Sequence, residues 1–505
     1  LAVRADASIA PRMSDRFLFA AIGLHRPQRA HDAEHRSRQS HAAHANEAEN
    51  PFSRREAETN PMATFGCLRS LRTAPTAVLV DRTRGRPGRW PIVAVRFVGE
   101  SIGARTAPAR AQRMGAVMKF PVDLSLFEGT AHSPSFLNLE RSMGRRDLAL
   151  RDYCIPVNPY FPTARMFACF HARLEAAMKY YPAPNETLAE LLAQFLALDP
   201  ETVVLANGST ELITWTDRLF VRECLATPIP TFGRWTDQPV ESGKHIATFV
   251  TRPEEKFELD VDRFAAFVRQ RGARVVAVCN PNNPSGTLIE RADVLRLLDL
   301  LDDLDLIIVD ESFIDFADPV QIPSAADAVN ERANLLVLKS LGKNFGLHGV
   351  RFGYCVTSPA RARVIARALP HWNVNGVAEM VLREVVDHRD AYEQSRARVI
   401  EDRQNLEQEL HSAIGLHVFP SRANFVYVRL TDEVDGVALR DHLLTEYGCF
   451  VRQCGNKAGS DGQFFRIAAR PPQEVDYLIS SLQHSVTSLL NRGSPRANRC
   501  QVAMV

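Results

Sequence analysis

Two features of the 505-residue chain predict an α/β protein built around a mostly parallel sheet. The runs Arg274–Cys279 (RVVAVC) and Leu306–Val309 (LIIV) are apolar without alternation, as strands covered on both faces should be. Segments with apolar residues at helical spacing lie between such runs, and alternation of this kind puts helices on both faces of the sheet.

Taken in order, Thr187–Leu198 (TLAELLAQFLAL) reads as an amphipathic helix and Thr202–Ala206 as a short strand. Asn207-Gly208-Ser209-Thr210 follows, then a helix over Glu211–Val221. Arg291–Leu301 is a helix between the two apolar strands, and Leu335–Leu338 is a further strand. A long charged helix is expected over 375–412, alternating strands near 424–429 and 464–468, and a last helix near 472–490. These later elements suit a smaller α+β domain. The expected division is a leader over 1–113, an arm over 114–165, a large domain over 166–370, a small domain over 371–491 and a tail over 492–505.

Composition narrows the function classes. The net charge of +2 implies no acidic partner, but the leader carries 19 Arg, no Lys and 10 acidic residues. It lacks aromatic interleaving or a binding motif, so nucleic acid is not expected as a partner. Its lack of periodicity reads either as disorder or as translated upstream sequence, with the protein proper starting near Met114 or Met118. Nine scattered cysteines without a Cys-x-x-Cys pair fit a reduced cytoplasmic chain and give no metal site. No apolar run approaches membrane-spanning length.

Three segments at strand ends carry the chemistry. Asn280-Pro-Asn-Asn283-Pro-Ser-Gly286 follows one apolar strand, and Asp310-Glu311 follows the next. A carboxylate at the end of a buried strand is costly without a cationic partner. The third segment is Ser340-Leu-Gly-Lys343-Asn-Phe-Gly-Leu-His-Gly-Val-Arg351, with glycines around one lysine that suit close approach of backbone to a ligand.

In order and spacing these segments resemble the fold-type I pyridoxal-5'-phosphate (PLP) enzymes, with histidinol-phosphate aminotransferase and threonine-phosphate decarboxylase the nearest likeness. The resemblance spans roughly residues 120–490 and implies a mostly parallel, seven-stranded type of large domain. It makes Lys343 the Schiff-base lysine and Asp310 the partner of the pyridine nitrogen, which must stay protonated for PLP to act as an electron sink. Asn283 matches the donor to the cofactor 3'-oxygen, and Phe232 the ring stacked on the pyridine, with Trp235 as the alternative. Ser209, Thr210, Ser340 and Arg351 match the phosphate ligands, the first two at a helix start that favours an anion. Tyr181 matches a tyrosine that reaches the cofactor phosphate of a neighbouring subunit, which implies a homodimer with shared sites. Arg466 matches the fork onto the substrate α-carboxylate, Arg452 a ligand of the distal phosphate, and Asn158 a substrate-proximal residue.

Some positions depart from the histidinol-phosphate pattern. Phe313 stands where that group has Tyr, Gly342 where Ser or Thr precedes the lysine, and Arg470 follows Arg466 by four, as in the decarboxylases. His348 reads as a satisfied loop histidine. The expected activity is transamination between a keto acid and a small amino acid or amine bearing phosphate or phosphonate, with threonine-phosphate-type decarboxylation as the alternative.

Overall fold

The computed structural model describes residues 120, 122–127, 133–144, 150–413 and 415–493, and the leader, the starts at Met114 and Met118 and positions 494–505 lie outside them. The described residues form one compact unit. Its first sheet contains β1 (Val203–Ala206), β2 (Cys224–Ile229), β3 (His245–Val250), β4 (Val275–Cys279), β5 (Leu306–Asp310), β6 (Leu335–Lys339) and β7 (Gly353–Thr357). The spatial order is β1-β7-β6-β5-β4-β2-β3. β7 runs antiparallel to both its neighbours and every other pairing is parallel.

Absence of alternation in β4 and β5 has the expected cause, because every residue of both strands is buried. Val276, Val278, Ile307 and Val309 enter the core on one face, and Val275, Ala277, Leu306 and Ile308 that on the other. Each buried Val or Ile contributes about 1.5–3 kcal/mol relative to exposure. Since the parallel strands point one way, Cys279, Asp310 and Lys339 finish at one edge, where open α/β sheets bind ligands.

The second sheet holds β8 (Leu416–Phe419), β9 (Phe425–Leu430), β10 (Arg452–Gln453) and β11 (Phe464–Ala468) in the order β10-β11-β9-β8, all antiparallel. β9 and β11 do not alternate as expected, because the sheet is covered on both sides and nearly all their residues are buried.

One expected helix divides. The helix expected over 375–412 is two, Gly376–Val386 and Arg389–Ser412. At the break the His388 ring Nδ1 lies 2.8 Å from the Glu384 carbonyl, where a side chain takes the place of the regular ladder. The first of these helices buries Ala378, Val381, Leu382 and Val385 in the core beside the first sheet, against Ala164–Lys179 and Asn185–Leu196. The arm joins the other side. Arg151–Asp152 pairs in parallel with Cys449–Phe450, and Leu139 and Cys154 pack with Leu444 and Phe450.

Candidate active site

β5 delivers Asp310 to the sheet edge, and β6 runs through Ser340 into the short helix Leu341–Asn344 that carries Lys343. The two side chains meet in a pocket lined by Phe232, Cys279, Pro281, Asn283, Asp310, Ser312, Phe313 and Lys343. Asp310 is 4% exposed, yet its carboxylate is well supplied with donors. Trp235 Nε1 donates to Oδ2 at 3.0 Å, and the Ser312 backbone N–H and hydroxyl donate to Oδ1. Trp235 therefore orients the aspartate, and Phe232 holds the position facing the lysine, its ring centre 5.8 Å from Lys343 Nζ. Phe313 approaches the same amine to 4.9 Å and packs edge-on against Phe425. Burial lowers the Lys343 ammonium to about 8; Asp310 opposes the shift and Arg466 adds to it.

An anion cradle lies beside the amine. The helix expected from Glu211 starts two residues earlier, at Ser209, so Ser209 and Thr210 occupy its first turn with free backbone N–H groups. Gly208 caps it at φ +81, and a Cβ there would fall 2.5 Å from an Arg351 guanidinium nitrogen. Arg351 itself is left-handed at φ 59, a conformation that costs a non-glycine residue roughly 1–2 kcal/mol. The backbone thus accepts strain in placing a guanidinium against a helix N-terminus. Ser340, also buried, caps the lysine helix.

The small domain supplies the facing wall. Arg452 and Arg466 are partners across β10 and β11, so their side chains leave the same face. Arg466 donates to Asn283 Oδ1 at 2.8 Å and to the Cys154 carbonyl at 2.7 Å, while its buried Nε has no partner. Asn283 keeps its amide nitrogen as a donor. Arg452 reaches Ser133 of the arm and Asn456. Arg470 turns aside, onto Asp152 and the Ile155 carbonyl.

Asn158 is held by its own chain. Its Nδ2 donates to the Asn344 carbonyl and Ser395 Oγ, its Oδ1 accepts from the Tyr160 backbone, and its own N–H donates to the Lys343 carbonyl. Its amide is occupied by protein, and it braces the lysine helix. Tyr181 is outside the site of its own chain, 80% exposed and against Trp372. His348 is only half satisfied. Burial and then Lys343 push its ring down to about 3, and its buried Nε2 has no partner.

Sequence reasoning missed a buried network behind the lysine. Asp315 accepts from Lys339 Nζ at 2.9 Å, Asn344 Nδ2 at 2.8 Å and the Tyr392 hydroxyl. Burial alone would raise the Asp315 carboxyl, but Lys339 beside it brings it below its ordinary value. No local motif announces these partners, which come from three separate elements. Among the described residues no group of three or more His, Cys, Asp or Glu could hold a metal, and no helix is long and apolar enough to cross a membrane.

An amine held near neutrality beside a buried, hydrogen-bonded carboxylate, an aromatic ring and an anion cradle fits PLP. Fold and site define a fold-type I PLP enzyme. Residues 171–482 match the family described as aminotransferase class I and II, and the chain belongs to it. The CMP-5'-(3-aminopropyl)phosphonate synthase of Streptomyces rubellomurinus is 33% identical over 347 residues, 68% of this chain and 53% of that protein, about half of whose length the chain spans. L-serine phosphate decarboxylase of Campylobacter jejuni is 29% identical, with 70% of this chain and 92% of that one covered. The histidinol-phosphate aminotransferase structure from Clostridium acetobutylicum aligns with a TM-score of 0.61 at 26% identity, over 67% of this chain and all of that one.

Proposed function

We propose that the chain is a PLP-dependent decarboxylase of a small amino acid bearing a phosphate or phosphonate group. The observation that carries this reading is the Arg452–Arg466 pair on one face of the small sheet, two guanidinium groups suited to a substrate with two anionic ends. The likeness to serine phosphate decarboxylase favours loss of the carboxylate over the transamination expected first.

When bound, PLP supplies an electron sink conjugated to the substrate Cα. Ser209, Thr210, Ser340 and Arg351 would hold its phosphate, Phe232 its ring face and Asn283 its 3'-oxygen. Asp310, fixed by Trp235 and Ser312, would keep a proton on the pyridine nitrogen. Arg466 orients the α-carboxylate, and Phe313 gives it an apolar neighbour, which favours a charged group leaving as neutral carbon dioxide. Lys343 Nζ, near neutrality, returns a proton to Cα.

Aminotransfer is the second reading, favoured by the histidinol-phosphate likeness, and there Lys343 removes the Cα proton and a keto-acid acceptor is needed. Incubating the holoenzyme with O-phospho-L-serine separates the two. Carbon dioxide release with the cofactor spectrum regenerated each turnover supports decarboxylation, whereas stoichiometric conversion to pyridoxamine phosphate with a keto product reverses the order. Tyr181 is proposed to serve a second copy of the chain, as it is exposed and away from its own site. Lys343→Ala and Tyr181→Ala subunits mixed at limiting PLP should then recover activity above the mean of the parents. Heterodimers without recovery would remove the shared site.

A further inference from the structure

A third cation stands by the arginine pair. The 454–463 loop between β10 and β11 crosses to the large domain, where a Cβ on Gly459 would lie 3.0 Å from the Pro230 nitrogen. Within it Lys457, half-buried, donates from Nζ to the Thr231 carbonyl at 3.1 Å. Thr231 precedes Phe232, the ring beside Lys343, and its hydroxyl lies 3.4 Å from Cys279 Sγ in the pocket wall. The preceding residue, Asn456, accepts from Arg452 at 2.7 Å. The Lys457 ammonium therefore belongs to the wall that carries Arg452 and Arg466, and the Thr231 carbonyl occupies one of its three N–H bonds.

Among the described residues no carboxylate lies within ion-pair distance of Lys457 or Arg466. Burial, with Arg452 and Arg466 adding repulsion, lowers the Lys457 ammonium to about 8. A part-buried ammonium with no carboxylate beside it is destabilising by itself, and an arriving anion relieves it.

We infer that Lys457 binds substrate, taking with Arg452 the tetrahedral anion distal to the α-carboxylate. This rests on the proposed phosphate- or phosphonate-bearing substrate and goes beyond it in assigning which residue reads that group. A flexible ammonium tolerates both a phosphate monoester and a phosphonate, where a bidentate guanidinium alone would be more demanding of geometry.

Binding to the holoenzyme, followed by the change in cofactor absorbance, tests the assignment. The probes are L-serine, O-phospho-L-serine and L-2-amino-4-phosphonobutanoate, against wild type, Lys457→Met and Lys457→Arg. In wild type both phosphorus-containing probes should bind more tightly than serine, and the tighter of the two identifies the anion. Lys457→Met should cut that preference about ten- to a hundredfold, the effect of losing one charge-assisted hydrogen bond, and Lys457→Arg should restore much of it. An undiminished preference in Lys457→Met, or equal weakening for all three probes, as a loop-folding role would give, overturns the assignment while the proposed substrate class stands. Wild type that does not distinguish the probes overturns both.

Discussion

Lys339 and Lys343 are four residues apart at the same sheet edge, and the structure treats them oppositely. Burial opposes the charge on both. At Lys339 the Asp315 carboxylate, 2.9 Å away, overrides burial and raises the ammonium above its ordinary value. At Lys343 Asp310 is held by Trp235 and Ser312, burial wins, and the amine falls to about 8. The first lysine is a structural cation and the second a nucleophile in reserve. What separates them is direct contact with a carboxylate, since burial is common to both: Asp315 touches Lys339, and among the described residues no ion pair reaches Lys343.

Several substitutions would break that contrast. Lys343→Ala should abolish turnover and the absorbance band of the lysine–cofactor adduct, since Lys339 is locked to Asp315; a mutant that kept both would remove Lys343 from its role. Asp310→Asn should retain cofactor but lose kcat by roughly a thousandfold, about 4 kcal/mol of barrier, and a near-normal kcat would count against the pyridine-nitrogen role. Asp315→Ala should act mainly on stability, because it strands the Lys339 charge in the interior. Removing one partner of a buried pair costs about 3–5 kcal/mol, which denaturant titration would register. A loss below about 1 kcal/mol would mean that Lys339 finds another partner or water.

The mildest effect is on pH. Because the Lys343 value is depressed, its free amine appears as pH rises through about 8, where an ordinary lysine would require about two units more. The rate at which apoenzyme captures PLP should climb between pH 7 and 9 and then level off. A rate still climbing steeply past pH 10 would show an unperturbed lysine.

Much of this was legible in the sequence because it is local. Unalternating β4 and β5, the turn at Asn283 and the glycines around Lys343 are contiguous signals, and they sit at strand ends by construction of a parallel sheet. Trp235 was visible as an aromatic near Phe232, but its bond to Asp310 depends on the approach of the Arg234–Glu241 helix to β5. Asp315, Asn344 and Tyr392 converge from a 3-10 turn, the lysine helix and the long Arg389–Ser412 helix, a meeting that no local pattern encodes. Asn158 shows the same limit. Its position near the site was readable, while the Asn344 and Ser395 contacts that occupy its amide were not.

Borohydride reduction of the holoenzyme followed by peptide mapping tests the contrast most directly, because three part- or fully buried lysines, Lys339, Lys343 and Lys457, border or approach the pocket. The expected result is a single pyridoxyl-modified peptide with the label on Lys343, and no label on Lys339 at any pH at which the protein stays folded. Label on Lys339 or Lys457 in place of Lys343 would contradict the assignment of the nucleophile and, with it, the claim that direct contact with a carboxylate decides which lysine is free to react.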